Sequence, residues 1–380
     1  MRCAHCEQEV LHPRASSKKT RIETDIDVPS VQADRDPRAS SKKTRIETEL
    51  FDIIPTSITT SGGKVLGGVA PALLTMVRLG VHVSVAGGID LAVARAAEKG
   101  CDAFQIFSAN PRGWKAKPIS CEAAERFVAA RRRAGLSPAV SHMPYLPNLA
   151  SPRPEVYERS VQALQEEMHR CRLLEMDYLV AHPGSHLGEG REAGLDRVAN
   201  ALQTALPEDR GRTALLLEST AGSKNSIGGR FEDLAAILDR MEGEAWGEGL
   251  GVCLDTCHLH AAGYDLRSPA ALQATLDEFE GLIGLKRVHL VHLNDCKSAL
   301  GSHLDRHEHV GLGQIGEEGF RAVLRHPVLS GLPMILETPV DSRRNDVGNL
   351  QEARRLAGPH QENSVFKTSR KASLDMGLTR

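Results

Sequence analysis

YLVAH at 178–182, ALLLE at 214–218 and GVCLD at 251–255 are short apolar, β-prone runs, and each closes on a residue that can hold a metal ion. PAVSH at 138–142, HLVH at 289–292 and MILE at 334–337 have the same form. Runs this short and this rich in Val, Leu and Ile read as strands. Their closing residues are His142, His182, Glu218, Asp255, His292 and Glu337. By subtraction these lie 40, 36, 37, 37 and 45 residues apart, room each time for a strand, a loop and a helix. In a closed parallel barrel all such strand ends face one rim, where active sites sit. The sequence therefore predicts a ring of metal-binding side chains at one mouth of a barrel.

Two further runs precede these six. The predicted strands are Gly80 to Ser84, Ala103 to Phe107, Ala139 to His142, Tyr178 to His182, Ala214 to Glu218, Gly251 to Asp255, Val288 to Asn294 and Met334 to Thr338. Amphipathic stretches with apolar residues at helical spacing follow, at Leu91 to Lys99, Glu122 to Arg133, Val156 to Leu174, Phe231 to Met241 and Ala270 to Ile283, with a last helix near Asn349 to Leu356. Eight βα units predict an α/β fold, a single-domain (β/α)8 TIM barrel over residues 76–357.

Such a barrel takes about 250 residues, so a chain of 380 carries a surplus at its ends. Residues 13–24 read PRASSKKTRIET, and 37–48 repeat those twelve letters unchanged. The repeat has no apolar periodicity with which to bury a face, and its identity suggests repetition at the level of nucleic acid. Residues 1–75 are therefore expected to contribute nothing to the barrel, with the functional chain beginning near Met76. The polar, aperiodic residues 358–380 are expected to be a disordered tail. Cys3 and Cys6 form a lone CxxC without a second pair, so a zinc knuckle is not expected there. The eight cysteines lack the dense spacing of a secreted disulfide scaffold, and reduced thiols are the default reading. No run approaches the ~20 apolar residues of a membrane span and no signal sequence opens the chain, so a soluble cytoplasmic protein is expected.

The loops after the strands add ligand candidates. His258 follows Asp255 by three residues in CLDTCHLH, and Asp305 and His307 stand in DRHEH. One such histidine or carboxylate is more often a hydrogen-bonded structural residue or a helix cap. Nine together, five imidazoles and four carboxylates, exceed what one ion uses and imply two or three. Mixed ligation of this kind favours zinc or manganese over magnesium or calcium. Cys253 and Cys257 read as small packing residues. His186, His260, His289, His303 and His309 read as supporting or surface residues, and Gly87 and Gly88 as turn formers.

GVHVSVAGG at 80–88, AHPGSH at 181–186, CLDTCH at 253–258, HLNDCKS at 292–298 and DRHEHVGLGQIG at 305–316 follow one another in an order that resembles endonuclease IV. That family comprises trinuclear-zinc apurinic/apyrimidinic endonucleases of base-excision repair, and the likeness spans the whole predicted barrel. The resemblance implies that His142, His182 and Glu218 hold one zinc. Glu218 would bridge to a second, bound also by Asp255, His292 and Glu337, and the third would take His258, Asp305 and His307. A metal-bound hydroxide would attack the phosphorus 5′ to an abasic deoxyribose, leaving a 3′-hydroxyl and a 5′-deoxyribose phosphate. Arg112 in NPRGW and Tyr145 and Leu146 in HMPYL stand where the family inserts side chains into the duplex, whereas Trp114 reads as ordinary packing. Leu312 departs from the acidic residue common between the two glycines of the last motif. The implied partner is double-stranded DNA with abasic sites or blocked 3′ ends, and the implied state a monomer.

Residues 76–357 hold 32 Lys and Arg against 37 Asp and Glu, a net of −5 that three divalent ions would bring to +1. DNA affinity would then rest on a metallated site and on local rim residues. Two rival readings stand beside this one. A metal-dependent sugar isomerase or epimerase would share the barrel and use one or two ions, and fold alone does not separate the two. A non-catalytic binder of damaged DNA would not need the intact ligand set.

Overall fold

Inward-facing apolar side chains from seven strands, Ala103, Val140, Val180, Leu216, Cys253, Leu290 and Ile335, meet in one small cluster at the centre of a ring. The structure is a computed structural model that describes residues 77–207, 211–244 and 246–358. Met76, the twelve-residue repeat, Cys3, Cys6 and the chain beyond Gly358 lie outside the described residues.

The elements run β1 (Arg78–His82), α1 (Leu91–Glu98), β2 (Ala103–Ile106), α2 (Cys121–Ala134), β3 (Ala139–His142), α3 (Pro154–Leu173), β4 (Tyr178–Ala181), α4 (Arg191–Ala205), β5 (Ala214–Glu218), α5 (Phe231–Arg240), β6 (Leu250–Asp255), α6 (Thr256–Ala262), α7 (Pro269–Leu282), β7 (Val288–His292), β8 (Asp295–Cys296), β9 (His307–Glu308), α8 (Gly316–Arg325), β10 (Pro333–Leu336) and α9 (Asp346–Ala357). Eight strands close into a parallel barrel in the order β1, β10, β7, β6, β5, β4, β3, β2, while β8 and β9 pair antiparallel. The predicted (β/α)8 fold is therefore the observed one. Strand limits differ at five upper ends. β1, β2, β4, β7 and β10 stop one or two residues early, so His182, Asn294 and Glu337 stand just past their strands. At β10 the reason is visible: Glu337 donates its N–H to Asn294 Oδ1 at 2.8 Å, a side chain, in place of a strand neighbour.

Strand side chains alternate between faces with a period of two. On β5, Leu215 and Leu217 pack outward with the helices, and Leu216 enters the inner cluster. Two residues beyond each member of the inner cluster, on the same face, stand Gln105, His142, His182, Glu218, Asp255, His292 and Glu337. An apolar plug thus lies beneath a polar layer, and eight strands of one tilt leave room for side chains only. β1 follows the same register with Gly80 and His82. A Cβ at Gly80 would lie 2.1 Å from the Ala103 carbonyl oxygen, so this position tolerates no side chain.

The helices wrap the ring through the larger apolar cluster, which includes Phe104, Phe127, Phe231, Phe279 and Phe320. Helix α2 is capped by Ser120, whose side chain accepts from Ala123 N–H, and ends on the left-handed Gly135. Among the described residues, no helix is long and apolar enough to cross a membrane. Cys101, Cys171, Cys253, Cys257 and Cys296 are buried free thiols.

Candidate metal centre

All nine ligand candidates come together at the upper mouth, in three groups whose ligand-capable atoms lie within 4.8 Å of one another. These are His142, His182 and Glu218; Glu218, Asp255, His292 and Glu337; and His258, Asp305 and His307. Glu218 belongs to two of them, and its two oxygens divide the work. Oε2 lies 3.0 Å from His142 Nε2 and 3.1 Å from His182 Nε2. Oε1 lies 2.9 Å from His292 Nδ1 and 3.4 Å from His258 Nδ1. β5 holds this carboxylate fully buried at the centre of the site.

The third group forms through a helix cap and a hairpin. Asp255 accepts the His258 N–H at 2.8 Å, so the side chain that ends β6 also starts α6 and sets His258 one turn from itself. The β8–β9 pair brings His307 back over the barrel, and Asp305 stands between two rings: Oδ2 3.2 Å from His258 Nε2 and Oδ1 3.2 Å from His307 Nε2.

Backbone carbonyls choose which ring nitrogen is free. His142 Nδ1 donates to Met143 O at 2.7 Å, His258 Nδ1 to Ser219 O at 2.8 Å and His307 Nδ1 to Glu337 O at 3.1 Å. A carbonyl only accepts, so each Nδ1 carries the hydrogen and each Nε2 faces the carboxylates. His307 Nε2 is buried without an aligned hydrogen bond, although Asp305 Oδ1 is close. An orphaned imidazole nitrogen beside a carboxylate is the donor arrangement a divalent cation completes.

The charges agree. Burial opposes ionisation of Glu218, yet the rings of His182, His292 and His142 hold its carboxyl well below the usual range. Burial opposes Asp305 and Glu337 also; the adjacent rings of His258 and His307 depress the first, and the rings of His292 and His82 the second. The imidazoles respond in the opposite sense. Against burial, Asp255, Asp305 and Glu218 raise His258 to about 10, and Asp305, Asp255 and Glu337 raise His307 to about 9. Packed carboxylates stay anionic and draw positive charge to the ring nitrogens, where metal ions would supply it. The residues present therefore fit the expected ions.

Asp255, Cys257 and His307 form a fourth group that shares two members with the others. Its thiol is engaged in a hydrogen bond with Cys296, which with burial drives the Cys257 pKa far up, and Cys257 also packs in the core. The packing role expected of Cys253 and Cys257 matches their full burial.

The expected DNA-contacting residues are exposed beside this mouth. Arg112 lies on the β2–α2 loop, and Tyr145 and Leu146, 66% and 39% exposed, on the β3–α3 loop. The loops are tied together: Tyr145 N–H donates to Pro111 O at 3.0 Å, and its ring meets Phe107 edge-on with centroids 5.1 Å apart. Trp114 is partly buried beneath the Arg159 guanidinium, 4.3 Å from the ring, in keeping with a packing role. Leu312 is 51% exposed. His186, His260, His289, His303 and His309 stand outside the three groups; His309, for example, is held between Asp341 and Asn349.

Three contributors escaped the sequence reading. Gln105 and His82 touch Glu337 or His292, and Asn294 donates to Asp255 Oδ2 at 2.7 Å. The period-two register, carried back to β1 and β2, would have found the first two.

A family described as xylose isomerase-like TIM barrel matches residues 93–358. A protein named "Probable endonuclease 4" from Methanoculleus marisnigri is 55% identical over 285 residues, covering 74% of this chain and all of that relative. The crystal structure of endonuclease IV from Thermus thermophilus superposes with a TM-score of 0.64 at 39% identity, covering 73% of this chain and 98% of that one. A D-tagatose 3-epimerase-like protein aligns with a TM-score of 0.55 at 20% identity over 74% of this chain and 98% of that one, a likeness of fold alone. With its full-length match at this identity and its three ligand groups in place, the chain belongs to the endonuclease IV family, within the xylose isomerase-like TIM barrels.

Proposed function

We propose that this endonuclease is a zinc-dependent deoxyribonuclease of base-excision repair that incises duplex DNA 5′ to abasic sites, leaving a 3′-hydroxyl and a 5′-deoxyribose phosphate. The observation that carries the reading is Glu218, which turns one oxygen to His142 and His182 and the other to His292. A carboxylate placed between two such sets of rings would serve two ions at once. His142, His182 and Glu218 would hold the first zinc, Glu218, Asp255, His292 and Glu337 the second, and His258, Asp305 and His307 the third. Manganese accepts the same ligands. Ions bound there would bring the pKa of water to about 7 and offset charge building on a phosphate.

The protein's own residues do the rest. The carbonyls of Met143, Ser219 and Glu337 keep three rings turned so that Nε2 would be the nitrogen offered to a bound ion. Gln105 and Asn294 hold Glu337 and Asp255. No side-chain nucleophile is required, since Cys253 and Cys257 stay protonated by burial and by Cys296. Arg112, Tyr145 and Leu146 would wedge into the duplex and keep the abasic nucleotide outside the stack. DNA with blocked 3′ ends fits the same phosphate site, and the chain is expected to act as a monomer.

A nicking assay on a duplex with one abasic site, run with and without chelator, tests this reading. Incision that chelator abolishes and zinc restores supports it. Sugar epimerisation without nicking, or metal-independent binding without turnover, overturns it in favour of the isomerase-like or binding-only alternative.

Tyr145→Ala and Arg112→Ala are each expected to weaken binding to an abasic duplex by about 1–3 kcal/mol at fixed salt, the range of one stacked contact. Both side chains are exposed, so zinc content and thermal stability should stay unchanged. Equal affinities for wild type and both variants would exclude the two loops from substrate holding.

A further inference from the structure

Gln105 lies on β2, fully buried, two residues above the apolar plug, and its amide is used at three points. Nε2 is 2.6 Å from Glu337 Oε1 and 3.1 Å from His82 Nδ1, and Oε1 is 2.9 Å from His292 Nε2. One of these contacts fixes the others. A carboxylate oxygen at hydrogen-bond distance accepts only, so the end of the amide that faces Glu337 is the NH2. The carbonyl end then faces His292, and Nε2 of that ring must carry a hydrogen. The second amide hydrogen meets His82 Nδ1, which must be an acceptor, so the His82 hydrogen sits on Nε2.

The consequence for His292 sets it apart from the other rings of the centre. His142, His258 and His307 have Nδ1 bound to a backbone carbonyl and present Nε2. His292 has Nε2 bound to Gln105 and presents Nδ1, with Glu218 Oε1 at 2.9 Å, Glu337 Oε2 at 3.4 Å and Asp255 Oδ2 at 3.9 Å. Three carboxylate oxygens around one ring nitrogen enclose the space that the second ion would take. It is the Gln105 carbonyl, through its bond with His292 Nε2, that enforces this choice.

We infer that Gln105 is a positioning residue of the metal centre: its amide fixes His292 as an Nδ1 ligand and holds Glu337 Oε1, so that the second ion meets both in one orientation. The inference rests on the proposed metal reading. It assigns Gln105 no contact with substrate and no ion of its own. Outer partners of this kind typically change metal affinity 10–100-fold when removed.

The test uses the zinc-loaded full chain with Gln105→Leu and Gln105→Glu. Chelator competition should show one ion of Gln105→Leu held about 10–100-fold more loosely than in wild type, with the others unchanged. Gln105→Glu keeps an acceptor for His292 Nε2–H but sets a carboxylate against Glu337, so it should loosen an ion while keeping the His292 tautomer. Long-range 15N–1H correlation of the histidine rings reads that tautomer directly. In the wild-type protein His292 should show a hydrogen on Nε2 and zinc on Nδ1, and His82 a hydrogen on Nε2.

Wild-type affinities in a folded Gln105→Leu protein overturn the inference. So does zinc on His292 Nε2 in the wild type, a result that stands even if neither variant folds. A wild-type chain that takes up no zinc defeats the metal reading itself. A chain that takes up three and incises DNA with His292 bound through Nε2 defeats only the role of Gln105.

Discussion

His307→Ala is expected to leave the barrel folded, to lower bound metal by about one ion per chain, and to slow incision of an abasic duplex by orders of magnitude. The fold should survive because His307 sits on the short β8–β9 pair above the mouth and its ring makes one hydrogen bond, Nδ1 to Glu337 O, worth about 1 kcal/mol. The metal should not, because Asp305 and His258 alone leave the third group a ligand short. Binding to abasic DNA should suffer less than turnover, since Arg112, Tyr145 and Leu146 are untouched. Protonation gives an independent handle on the same group. With carboxylates raising His258 to about 10 and His307 to about 9, both rings are protonated at neutral pH in the metal-free chain. Zinc requires them neutral, so uptake must expel protons, and occupancy at fixed zinc must fall as pH is lowered. Calorimetry in buffers of different ionisation enthalpy should show His307→Ala releasing fewer protons than wild type. Unchanged stoichiometry, or incision near the wild-type rate, would remove the third group from the mechanism.

Six of the nine ligand candidates were legible because a parallel barrel imposes one rule on every strand. The chain alternates faces, so a chemistry-bearing residue two positions beyond an inward apolar one must point into the mouth. Leu216 before Glu218, Cys253 before Asp255 and Leu290 before His292 obey it, and His182 and Glu337 obey it although their strands stop one residue short. The same rule places His82 and Gln105, but glutamine is no metal ligand and β1 carries Gly80 at the apolar position, so neither stood out by residue type. Asn294 escaped for a further reason. It stands inside the expected strand Val288 to Asn294, but asparagine is no metal ligand and β7 ends at His292, so its contacts with Asp255 and Glu337 depend on how the chain folds back beyond the strand. Helix α6 was hidden too, because its apolar pattern is interrupted by ligand candidates: Asp255 caps it and His258 lies in its first turn. His258, Asp305 and His307 could be named as candidates, but their union across α6 and the β8–β9 pair is a tertiary fact.

Glu218→Gln should have the widest effect on metal content of any single change at the mouth. The substitution keeps the shape of the side chain, but it removes a full negative charge that faces His142 and His182 through one oxygen and His292 through the other. An amide nitrogen on either side carries hydrogens toward a ring nitrogen and cannot coordinate, so at least one half of the bridge is lost whichever way the amide turns. Two ions should therefore bind more weakly together, while His258, Asp305 and His307 keep theirs. Each ion present at about 100 times its Kd stabilises the folded chain by about 2.7 kcal/mol. The zinc-dependent part of the stability should thus fall by up to about two such steps, and incision should drop by orders of magnitude. Thermal unfolding with and without zinc, set beside metal analysis, separates this from a general loss of fold. A change confined to the bridge lowers the zinc-loaded melting temperature more than the metal-free one, whereas loss of a single ion, or equal shifts in both states, would show that Glu218 does not join two metal sites.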